Sequence, residues 1–100
     1  MFYRVEALRH AAETEEVRHI GQYDTLALAI DAAQRTIDEF LRRALETGTS
    51  PSLLFLTYQG LGEHPVIFVD SDKTLNVPDF NHFQYAFARC AYLTDQKNQE

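Results

Sequence analysis

One cysteine, Cys90, is all this chain carries, so no internal disulfide can tie the fold together. A lone thiol fits a reducing compartment. Its place on an apolar helical stripe reads as that of a small buried hydrophobe. No apolar run is long enough to cross a bilayer. The chain opens on a strand-like alternation and not on a basic segment followed by an apolar one, so no signal peptide is expected. These absences together point to a cytoplasmic protein with no membrane contact. Basic charge is also scarce. Nine Lys and Arg stand against 15 Asp and Glu, a net charge of −6. Nucleic acid is therefore an unlikely partner, because its phosphates need a basic surface.

Chemical motifs are just as thin. The four histidines are His10, His19, His64 and His82, and no two stand at the i, i+4 spacing of a helical zinc site. Gly60-Leu61-Gly62 lacks the third glycine and the Lys-Ser/Thr of a phosphate-binding loop. There is no Gly-x-Ser-x-Gly elbow. Ser50, Ser52 and Ser71 have no base near them in sequence, and only folding in space could supply one. The best local cluster is Glu63-His64 with Asp70-Ser71-Asp72, flanking one short apolar run. Carboxylates two apart on a loop can hold hydrated Mg²⁺ or Ca²⁺. His64, Asp70 and Asp72 are thus the candidate metal or small-ligand set. The glycine and closing acid of a calcium loop are missing, and Asp at such a place serves equally as a turn former. The expectation is a non-catalytic protein without a cofactor.

What is present is structure. Leu26, Ala29, Ile30, Ala33, Ile37, Phe40, Leu41 and Ala44 recur at three- and four-residue steps, one stripe of an amphipathic helix. Asp31–Arg35, Asp38–Arg42 and Glu39–Arg43 are acid-to-base pairs at i, i+4, each worth about 0.2–0.5 kcal/mol. Thr25 is the expected N-cap, and Gly48 can take the left-handed conformation that stops the helix. Leu28 does not fit, since it lies on the polar face.

Before this helix, Phe2 to Arg9 alternates as a half-buried strand, with Tyr3, Val5 and Ala7 on one side. Val17 to Tyr23 reads as a second strand, in which Gly21 marks a bulge or a close backbone approach. The polar segment 11–16 is expected to be the hairpin loop between them. Arg4, Arg9, His10, Arg18 and His19 cluster here, interleaved with Glu6, Glu13, Glu15 and Glu16 as a mixed-charge face. After the helix, Ser50-Pro51 favours a second helix, because Pro suits the first helical position. Leu54, Tyr58 and Leu61 would share one of its faces. A strand over 53–58 is the alternative, since a short apolar run fits either. Val66 to Val69 is a short buried strand. Asn81 with Gln84 forms a capping box for the last helix, and Phe80 with Tyr85 the matching hydrophobic staple. Phe83, Ala86, Phe87, Cys90 and Ala91 are expected to face its core.

The expected fold is α+β. A small antiparallel sheet of about three strands carries helices on one face, in the order β-β-α-(α)-β-α. Residues 1–94 form one domain and 95–100 a frayed polar tail. The expected role is contact with another protein, self-association included. Its candidates are Leu28, and Phe2 and Leu8 on the side of the first strand opposite Tyr3 and Val5.

Two resemblances accompany this reading. Tyr23-Asp24-Thr25, Ala29, Ala33, Ile37-Asp38-Glu39, Gly62-Glu63-His64-Pro65, Ile67, and Tyr85-Ala86 with Arg89 resemble a family of small uncharacterised bacterial proteins. That family has a YDT-EEA helix start, a GEDP-I turn and a terminal YA--R helix. Leu28 stands where the family favours Glu, and His64 where it favours Asp. The resemblance implies the fold, and no activity. Gly21 to Leu45 is also similar to the strand-to-helix junction of HicB-type antitoxins, which would imply a toxin partner. Those proteins place three strands before the helix, and this chain two.

Overall fold

Strand alternation sets the sheet. The computed structural model describes residues 2–11, 14–69, 72–77 and 80–98. Its elements are β1 (Tyr3–Ala11), β2 (Thr14–Tyr23), α1 (Leu26–Glu46), α2 (Leu54–Leu61), β3 (His64–Val69), β4 (Asp72–Asn76) and α3 (His82–Asn98). The sheet is antiparallel and runs β2-β1-β3-β4. Val5 and Ala7 of β1 face the helices with Pro65 and Ile67 of β3, and all four are buried. The α+β class and the element order are as the sequence predicts. β4 is an addition: a short edge strand, polar in sequence, that pairs with the end of β3.

The hairpin is longer than the sequence suggests. Thr14, Glu15 and Glu16 pair with Ala11, His10 and Arg9, so part of the expected loop is strand. Polar residues can stay extended here because this part of the hairpin has no face to bury. Gly21 stands at the bulge. Val5 lies opposite Gly21 and Glu6 opposite His19, which leaves Ile20 as the extra residue. A Cβ on Gly21 would come within 2.8 Å of the Tyr23 hydroxyl oxygen.

α1 follows its pattern closely. Ala29, Ala33, Ile37, Leu41 and Ala44 are buried, Thr25 accepts from the Leu28 amide at 3.2 Å, and Gly48 has φ 104°. Two of the expected ion pairs form, Arg35–Asp31 and Arg43–Glu39, each at 2.6 Å. The third does not. Asp38 is taken by α3, where it accepts from the Tyr85 hydroxyl at 2.8 Å and Arg89 Nε at 3.1 Å. Arg42 turns to Glu46 instead.

A 3₁₀ turn at Pro51–Leu53 leads into α2, which settles 54–61 as helix. Leu54 and Tyr58 are buried, but Leu61 is exposed at the helix end. Gly62 stops the helix, its amide donating to the Tyr58 carbonyl at 2.9 Å. α3 starts as expected. Asn81 accepts from the Gln84 amide at 3.1 Å, and the Phe80 and Tyr85 rings lie 6.4 Å apart. It continues to Asn98, past the boundary expected at residue 94.

The buried face of α3 differs from the expected one. Ala86 and Cys90 are buried, whereas Phe83, Phe87 and Ala91 are exposed. The helix meets α1 and α2 along a narrow stripe of small residues, which leaves the larger rings on its flank. The core has two parts. Ile37, Leu41, Leu54, Tyr58, Ala86 and Cys90 fill the space between helices. Val5, Ala29, Ala33, Ile67 and Val77 join α1 to the sheet.

Candidate interaction surfaces

Beneath α2 and α3 lies a cluster of rings. Tyr58 is wholly buried, and its hydroxyl lies 3.0 Å from His82 Nδ1. His64 Nε2 lies 3.0 Å from the Tyr58 backbone oxygen. That oxygen can only accept, so Nε2 is the protonated nitrogen of His64. The two imidazoles stack at 4.7 Å. Burial, and then the nearby His64, lower the His82 pKa to about 4. Burial, with Cys90 adding to it, pushes the Tyr58 hydroxyl up, and burial raises the Cys90 thiol to about 11. All three groups are therefore held neutral at neutral pH. Gly62 closes the cluster from below, where a Cβ would stand 2.6 Å from the Tyr58 carbonyl oxygen.

His64 is thus turned into this cluster. Asp70 lies outside the described residues. Asp72 begins β4 opposite Val69, at the far end of β3 from His64. At the usual rise per strand residue that is about 16 Å away. Among the described residues no three His, Cys, Asp or Glu side chains gather as metal ligands would.

The three predicted contact residues are spread out. Phe2 precedes β1 and Leu8 stands near its other end, about 20 Å along the strand. Between them the face of the sheet away from the helices holds Arg4, paired with Glu6 at 2.7 Å and lying 5.2 Å over the Phe68 ring. Leu28 is on the helix side, 53% exposed. It borders a cleft of about 370 Å³ between α1 and β2, with Arg18, Ile20, Tyr23, Asp31 and Arg35. A second cleft, of about 480 Å³, runs between α1 and α3 over the Asp38–Arg89 pair. Burial first, and then the bond to Asp38, push the Tyr85 hydroxyl beside it up to about 12.

Most of the large hydrophobic side chains exposed among the described residues lie elsewhere, and the sequence reading missed this grouping. Leu53, Leu56 and Leu61 at α2, with Phe83 and Phe87 on α3, are all exposed, Leu56 at 66% and Phe87 at 62%. Phe55 links the two helices, its ring edge-on to Phe87 at 5.3 Å. No Asp, Glu, Lys or Arg occurs in the 16 residues from Thr47 to Gly62, in a chain that is 24% charged. None occurs between Phe80 and Ala88 either. That charge gap was the available signal. It is hidden when each aromatic is assigned to the core.

Among the described residues no helix is long and apolar enough to cross a membrane. No family model matches this chain, and neither a curated protein nor a solved structure matches it.

Proposed function

We propose that this protein works by protein–protein contact, through the uncharged apolar face of α2 and α3, and that its first partner is a second copy of itself. The observation that carries the reading is Phe87. It is a large ring, mostly exposed, on a helix whose buried contacts are made by Ala86 and Cys90. Interface centres are depleted of charge and enriched in aromatic residues, and homodimer interfaces are the most apolar of all. Two chains of net charge −6 repel over most of their surfaces. This face lets two copies approach without opposing like charges. The single buried thiol keeps the cytoplasm as the proposed location.

Light scattering coupled to size exclusion, over a range of concentrations, tests the proposal. The parent chain should exceed the mass of one chain at high concentration. Phe87→Glu and Leu56→Glu should each lower that mass while leaving the circular dichroism spectrum unchanged. A mass that neither variant lowers would overturn the role assigned to this face.

A further inference from the structure

β2 is the outermost strand of the sheet, bonded only to β1 among the described residues. β1 pairs with β3 only from Tyr3 to Leu8. Beyond that point Arg9–Ala11 and Thr14–Glu16, among the described residues, pair only with each other, so the hairpin projects as a two-stranded arm. Every residue from Thr14 to His19 is exposed. Two-stranded ribbons are marginal in water, and an open edge offers unpaired N–H and C=O groups to another strand. Val17 stands in the middle of this stretch, 57% exposed.

The charges on β2 are self-complementary about that valine. We infer that β2 pairs antiparallel with β2 of a second copy, Val17 lying opposite the partner's Val17. In this register Glu16 faces the partner's Arg18, and Glu15 faces the partner's His19. The two-fold axis repeats both pairs. An antiparallel pair of identical edges has its axis normal to the sheet, so each residue lies opposite one that points to the same face. The axis must therefore pass beside a residue, and few choices exist. Centres at Glu15, Glu16 or Arg18 put like charges directly opposite. Centres at Thr14 or His19 leave the Glu–Arg match unmade.

Arg18 already binds Glu63 through Nε at 2.7 Å and Nη2 at 3.3 Å. A guanidinium has five N–H donors, and those on Nη1 remain for the partner's Glu16. The pairing also accounts for Leu28. The axis keeps both helix layers on one side of the joined sheet, which brings the partner's α1 beside the cleft that Leu28 borders with Ile20 and Tyr23. This surface is separate from the α2–α3 face, and the inference does not rest on that reading.

The test uses chains that carry Leu56→Glu and Phe87→Glu, so that association through α2 and α3 is removed from the measurement. With native β2 these chains should still dimerise in sedimentation velocity. Adding Glu16→Lys or Arg18→Glu alone should weaken the dimer roughly tenfold or more, because each opposes like charges across the axis. An equimolar mixture of the two single reversals should form a heterodimer, since Lys–Glu and Arg–Glu pairs are then made. A separate variant reads the register. Val17→Cys, in a Cys90→Ala chain, should crosslink to a dimer under mild oxidation, and Thr14→Cys should not. A monomer with native β2 at high concentration would overturn the inference. So would a mixture that fails to associate, or crosslinking through position 14 in preference to 17.

Discussion

α1 and α3 are both long amphipathic helices on the same face of one sheet, yet they bury different kinds of residue. α1 buries a stripe that includes Ile37 and Leu41 and leaves i, i+4 ion pairs in solvent. α3 buries Ala86 and Cys90 and leaves Phe83 and Phe87 outside. The difference lies in what each helix packs against. α1 is covered from two directions: Ala29 and Ala33 pack on the sheet, and Ile37 and Leu41 pack against α2 and α3. α3 sits against α1 and α2, and helix-on-helix contact is a narrow seam. A helix that buries only a seam keeps its flanking rings for something else.

The comparison breaks most sharply at Leu41. It is wholly buried, so Leu41→Ala should cost about 2–5 kcal/mol in chemical denaturation. Phe87 is the larger side chain. If it belonged to the core its loss would cost at least as much, so Phe87→Ser tests the assigned faces directly.

Acid should act next, through the ring cluster. The His82 pKa falls from an ordinary 6.5 to about 4 in the fold. The unfolded chain therefore binds the proton first. The stabilisation is complete above pH 6.5 and is lost as pH falls toward 4. Melting temperature should drop through this window, and His82→Gln should flatten the drop relative to the parent. Equal pH slopes for the two chains would remove His82 as the cause.

Asn81→Ala should cost about 1 kcal/mol, the usual loss for an N-cap, read from the shift of the denaturation midpoint. The smallest stability effect belongs to Phe87→Ser, at about 0.5 kcal/mol or less as for other surface changes. Its consequence should appear in association instead. A cost comparable to that of Leu41→Ala would place Phe87 in the core after all.

Local rules carried the sequence reading a long way. Thr25, Gly48, Asn81 and the Phe80–Tyr85 staple act on backbone groups within a few residues, and all four take the expected positions. The α1 stripe was legible because the sheet and the other two helices together cover its centre. Asp38 was not, because its partners Tyr85 and Arg89 lie far along the chain on another helix. The Tyr58–His64–His82 cluster was hidden for the same reason. Its members come from α2, β3 and α3, and none has a telling spacing in sequence.

The long helices, their caps and the class of the fold were therefore legible in the sequence alone, since each depends on neighbours within a turn or a strand pair, whereas β4 and the helix over 54–61 were settled only by the fold. Which rings were buried was decided only by tertiary structure. Periodicity says that Phe83, Ala86, Phe87 and Cys90 share one side of a helix. It does not say how wide a surface that side will meet, and the narrow seam beside α1 and α2 left the two phenylalanines partly exposed on the flank.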